Sequence, residues 1–138
     1  MPLIEHDATI HAEPEAVFDL ISRVESFVDL TRAVQHIEPL GDHCYRWQVR
    51  VAGIALKFEV EVTDIQPPHY FAWRSRTGVA NRGHYTLTPT QNGTHLQFRL
   101  EYELRNRLLE KAISGSTRSI VTSLSSEIAE NMEKALQA

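Results

Sequence analysis

The stretch AWRSRTGVANRGHYTL, residues 72–87, places Arg74, Arg76, Arg82, Asn81 and His84 around two glycines. Arginines beside a glycine turn can hold a carboxylate or a phosphate, because the guanidinium fork matches two oxygens at once. On that reading Arg76, Asn81 and Arg82 would sit at the rim of a binding site. The local pattern favours a plainer one. Strand side chains alternate between faces. If Phe71, Trp73 and Ser75 point inward, Arg74 and Arg76 point outward, as do Arg82 and His84 on the next strand. The arginines then belong to a solvated face and pair with Glu59, Glu61, Glu101 or Glu103. Gly78 serves a turn and Gly83 a bend or bulge.

A second group of residues offers different chemistry. Tyr45, Trp47, Phe58, Trp73, Tyr85, Phe98 and Tyr102 share the inward parity of their strands. Near the end of the chain, Glu127 and Asn131 fall within an apolar stripe formed by Ile120, Leu124, Ile128 and Met132. An apolar pocket with a few convergent polar groups is the usual form of a small-molecule site. The tyrosines, Ser75, Glu127 and Asn131 would orient a ligand carbonyl or hydroxyl. If the site is catalytic, Glu127, Tyr85 and Asn131 are the candidates for proton transfer, with Glu127 as general acid or base. The alternative is that the aromatic residues are simply core and Glu127 is solvated.

Other chemistries find little support. The seven histidines, His6, His11, His36, His43, His69, His84 and His95, show no H-x-x-x-H or H-E-x-x-H spacing, so no metal is expected. Cys44 is the single cysteine, lies on an outward parity and has no local activating partner. There is no G-x-S-x-G, phosphate loop or dinucleotide fingerprint, and no cofactor is implied. A net charge of −4, from 14 basic and 18 acidic side chains, argues against nucleic acid as a partner. The start, MPLIEHDATIH, does not read as a signal peptide, and no apolar run approaches the roughly 20 residues of a membrane helix. A cytoplasmic protein is expected, with no integral membrane segment. The sequence does not separate a monomer from a homodimer.

The elements that would position these residues can be read from periodicity. Ile4–His11 alternates as a strand. Glu13-Pro14-Glu15 opens a helix, since proline suits the first turn and carboxylates suit its positive end. Val17, Phe18, Leu20, Ile21 and Val24 form its apolar face, and residues 25–33 suggest a second short helix. After Pro39 the period becomes two. Strands are expected around residues 45–51, 56–62, 70–75, 84–87 and 96–104, with a hairpin at Asn92-Gly93. Residues 106–137 carry Leu109, Ile113, Ile120, Leu124, Ile128 and Met132 at helical spacing, with a weak point near Ser114-Gly115-Ser116. Clean alternation means one wet face and one dry face, so this last helix must cover the sheet. The 138 residues, 42% hydrophobic, suit one domain over 1–138.

This order resembles the START-like, or helix-grip, superfamily. "IHAEPEAVFDLISRVESF" resembles its opening, and "FAWRS", "NRGHYTLTP" and "THLQFRLEYEL" are similar to its polyketide cyclase/dehydrase and coenzyme-Q-binding branch. "ENMEKAL" resembles the last helix of aromatic polyketide cyclases. The resemblance implies an α+β fold. A curved antiparallel sheet of about six or seven strands would wrap a long C-terminal helix, with two small helices after the first strand. It also implies a cavity for a lipid, quinone or polyketide-like molecule between sheet and helix. Phe27 stands where cyclases have an aromatic residue at the cavity mouth, and Asn131 matches their pocket asparagine. Val34 replaces a tyrosine, which lowers the expectation of cyclase or dehydratase activity. The leading expectation is therefore binding of a small hydrophobic ligand. Cyclase/dehydratase activity comes second, and a surface-acting interaction module third.

Overall fold

A computed structural model describes residues 3–51, 53–103 and 117–137. Strand β1 (Leu3–Ile10) leads into helix α1 (Pro14–Ser22), a short 3-10 turn (Val24–Ser26) and helix α2 (Phe27–Leu30). Six more strands follow: β2 (Val34–Gly41), β3 (Cys44–Val51), β4 (Ile54–Gln66), β5 (Tyr70–Gly78), β6 (Ala80–Thr90) and β7 (Gly93–Glu103). Helix α3 (Thr117–Gln137) ends the chain. At 1.5 Å per residue its 21 residues extend about 31 Å. The expected helical start at 106–116, with Leu109 and Ile113, lies outside the described residues, as does the side chain of Ile120.

The seven strands form one antiparallel sheet in the order β1-β7-β6-β5-β4-β3-β2. Each strand from β2 to β7 pairs with its neighbour in sequence, and β1 pairs with the last strand. The α1–α2 segment therefore carries the chain from one edge of the sheet to the other. It crosses the face that α3 also covers, and α3 packs on β1, α1 and α2. This is the helix-grip arrangement.

Local chemistry explains the elements. Pro14 stands at the start of α1 and Glu15 in its first turn. Val17, Phe18, Leu20 and Ile21 are buried along one face. The second helix is shorter than expected, because Thr31 is extended (φ −155°, ψ 145°) and the chain soon enters β2. Strand β2 is absent from the sequence reading. Its register shifts between Val34 and His36 and again between Pro39 and Gly41, so its buried residues, Val34 and Ile37, are three apart rather than two. The hairpin expected at Asn92-Gly93 is present, with Thr90 opposite Gly93. Gly93 also lets two strands approach closely, since at φ +153° a side chain there would collide with the Ile10 carbonyl of β1.

The filled core lies under α1, α2 and the C-terminal half of α3. Ile10, Val17, Ile21 and Met132 are completely enclosed there. Towards β3, β4 and the end of β7, the described residues cover the inner face of the sheet only partly, and a cavity opens.

Candidate functional site

The cavity has a volume of about 270 Å³. Its floor is the inner face of the sheet. The alternation of β3 and β4 brings Val49, Leu56 and Phe58 to it, and β7 brings Phe98, Leu100 and Tyr102. Phe27 of α2 and Thr31 just after it close the cavity from one side, and Leu124, Ser125 and Ile128 from α3.

Aromatic rings form a continuous belt along the wall. Phe58 stacks on Trp47 (6.0 Å between centroids, 14°), and Trp47 meets Phe27 at 5.8 Å. Phe27 stacks on Tyr85 at 6.3 Å, and Tyr85 meets Trp73 and Phe98 at 5.8 and 5.2 Å. Trp73 lies directly across from Gly83, where a Cβ would approach its ring to 2.7 Å. The register through Gly83 is regular, so this glycine makes room for an indole and marks no bulge.

Of the expected ligand-facing residues, Phe27, Trp47, Phe58, Trp73 and Tyr85 line the cavity. Phe98, Tyr102, Leu124 and Ile128 do so as well. Four others are placed differently. Tyr45 packs beside the core near Glu25, and burial, then the Glu25 charge, pushes its phenol up. Ser75 accepts a hydrogen bond from the Asn81 backbone N–H (2.9 Å), so its hydroxyl serves the β5–β6 connection. Glu127 accepts from the Thr31 hydroxyl (3.0 Å), and the Asn131 amide donates to the Leu30 carbonyl (2.8 Å). These two helix residues thus face α2 rather than the cavity. Leu30 ends α2, and its carbonyl is one of those a helix terminus leaves without an internal partner.

Three polar lining residues are absent from the sequence-based expectation or enter it only as rim candidates. Thr31 is a buried hydroxyl with no periodic signal. Ser125 lies beside Leu124 on the helix. Asn81 points inward, where its Oδ1 accepts from Trp73 Nε1 (3.2 Å) and its Nδ2 donates to the Val79 carbonyl (2.9 Å). The arginines of the same stretch face outward. Arg82 pairs with Glu101 (2.8 Å) and Arg74 with Glu61 (3.5 Å), while Arg76 lies 3.1 Å from the Cys44 sulfur. The two ion pairs are well exposed and contribute about 0–1 kcal/mol each.

Among the described lining residues, only Tyr85 and Tyr102 carry a titratable group. Burial pushes the Tyr85 phenol far up, so it stays protonated and can donate but not serve as a base. Trp47 differs from Trp73. Its Nε1 is buried without a hydrogen-bond partner, a situation that costs about 1–3 kcal/mol. No group of three or more metal-binding side chains occurs among the described residues, and no described helix is long and apolar enough to cross a membrane. The arrangement can enclose an apolar molecule, offer it flat aromatic faces and keep water away.

Comparison with known proteins agrees with this architecture. A family model described as polyketide cyclase / dehydrase and lipid transport matches residues 1–137. A search of curated proteins found no match. Among solved structures, a START superfamily protein from Mycobacterium smegmatis superposes with a TM-score of 0.79 at 14% identity, covering 98% of this chain and 97% of that one. A protein from Thermus thermophilus gives 0.78 at 23% identity, covering 97% and 99%. The Zhui aromatase/cyclase from a Streptomyces species gives 0.73 at 19% identity, covering 97% and 95%. At these identities the likeness is one of fold.

Proposed function

The chain belongs to the polyketide cyclase/dehydrase and lipid transport family, and on that premise we propose that its cavity binds a small, uncharged, hydrophobic molecule without altering it. One observation carries this reading. The cavity is walled mainly by aliphatic and aromatic side chains, while the polar candidates Glu127 and Asn131 are committed to the end of α2 and the residue after it. Affinity would come from apolar burial. A ligand that hides about 200 Å² of apolar surface gains roughly 5 kcal/mol before its ordering costs. That gross figure corresponds to no better than about 0.2 mM, so an occupant that buries more apolar surface than this is the one that stays bound through purification. Native mass spectrometry of fresh protein, followed by solvent extraction, should release a neutral lipophilic compound. A clean mass, combined with failure to take up any apolar fluorescent probe, would refute the reading.

Cyclisation or dehydration of a carbonyl-rich chain is the second reading. Family membership favours it, as do the hydroxyls of Tyr85 and Tyr102 at the wall. With Glu127 and Asn131 holding α2 in place, Tyr85 would act by donating a hydrogen bond to a developing oxyanion, since burial makes its phenol a weaker acid. Tyr85→Phe would then reduce turnover of such a substrate well beyond its effect on binding. Equal effects on both would leave only the carrier role.

A further inference from the structure

Among the described residues, the buried side-chain polar atom that lacks a hydrogen-bond partner is Nε1 of Trp47. Buried polar groups are almost always paired, so an orphan calls for an explanation. Its surroundings supply one. Trp47 lines the cavity, and its ring is held between Phe58 on one side and Phe27 on another. The other tryptophan of the wall is satisfied internally, because Asn81 accepts from Trp73 Nε1. The fold thus provides an acceptor for one indole and none for the other. Two other polar groups of the lining are engaged within the fold: the Thr31 hydroxyl donates to Glu127, and the Asn81 amide to Val79.

We propose that Trp47 is a specificity-determining donor of the cavity, with its Nε1–H donating to an acceptor oxygen on an otherwise apolar, uncharged, ring-bearing ligand. The proposal rests on the binding reading above and sharpens it. An indole N–H only donates, whereas a hydroxyl can donate or accept. Trp47 therefore selects for a carbonyl or ether oxygen and gives nothing to a pure hydrocarbon. The belt from Phe58 through Trp47 and Phe27 to Tyr85 offers flat faces, which suit a ring. No lysine or arginine lines the cavity among the described residues, so a ligand carboxylate would be buried there without a counter-charge. The Trp47 nitrogen is shielded by its neighbours. An acceptor therefore reaches it only when the side chains beside it move apart.

The matched probes tetralin and 1-tetralone differ by one carbonyl and test this directly. The chain has two tryptophans, so a nitrogen-15-labelled sample shows two indole N–H signals, and Trp47→Phe assigns them. We expect 1-tetralone to move the Trp47 indole proton downfield and slow its exchange, while tetralin leaves its hydrogen bonding unchanged. The affinity ratio of 1-tetralone to tetralin should fall by about three- to tenfold in Trp47→Phe. If both probes bind but the Trp47 signal responds alike to each, the donor role is overturned. An unchanged affinity ratio in a folded Trp47→Phe overturns it too. If neither probe binds the native protein, the cavity reading falls and the donor role with it. The signal of the native protein decides the matter even if the variant does not fold.

Discussion

At the scale of single residues, the closest fit in the wall is between Trp73 and Gly83. The two face each other across β5 and β6, and a methyl group on Gly83 would meet both the indole and the Arg99 carbonyl. Gly83→Ala should destabilise the protein by about 1–3 kcal/mol, because a well-packed site must shift to admit extra volume. The displaced indole should also weaken its bond to Asn81 and loosen ligand binding. A urea midpoint equal to that of the native protein would show that the wall yields more easily than the distances imply. Gly83 also shows what the sequence conveys at this scale. Its neighbours in the chain suggest a bend, since the reason for the glycine lies on another strand. The same holds for Glu127 and Asn131. Their place beside the apolar stripe of α3 is legible from helical spacing, but that they meet Thr31 and Leu30 is not.

Among the elements, α2 depends most on its surroundings. Four residues are far too few to hold a helix by their own hydrogen bonds. The segment stays in place because Phe27 and Leu30 are buried and because α3 supplies two polar ties. Asn131→Ala would leave the Leu30 carbonyl without its donor and should cost about 1–3 kcal/mol. Glu127→Gln keeps an acceptor for the Thr31 hydroxyl and should be nearly neutral, whereas Glu127→Ala should cost about 1 kcal/mol. Thermal unfolding of the three variants, with probe binding alongside, separates this role from catalysis. If Glu127→Gln abolished a reaction while leaving binding and stability intact, the tie would not be the residue's main role. Elements were more legible than contacts. Period-two alternation marks β3 to β7 because each has one wet and one dry face. It misses β2, where two register shifts and Pro39 interrupt the pattern, and where the turn into β3 uses Asp42 and His43 at positive φ instead of a glycine pair. That strand lies at the sheet edge, where proline is tolerated.

For the molecule as a whole, the distribution of titratable groups fixes how stability responds to pH. Two groups act in the same direction. The His84 imidazole is held below its ordinary value of 6.5, first by burial and then by the Arg99 charge, against weaker opposition from Glu101 and Glu5. The Glu133 carboxyl is held below its ordinary 4.5, first by the His11 backbone N–H and then by the His11 ring. For both, the unfolded chain binds a proton more readily than the folded protein. Stability is therefore complete above the unfolded value and declines as pH falls through the folded one. The His84 contribution should fade from about pH 6.5 downward, and the Glu133 contribution only below about pH 4.5. His11 and Glu133 tie the end of β1 to α3, so the acidic step loosens the grip of the sheet on its helix. Both groups are only half-buried, so the steps should be shallow. Melting temperatures between pH 4 and 8 provide the check. His84→Gln should flatten the curve near neutrality, and Glu133→Gln should flatten its acidic end. A melting temperature that rises on acidification, or a His84→Gln profile parallel to the native one, would show that other groups govern the response.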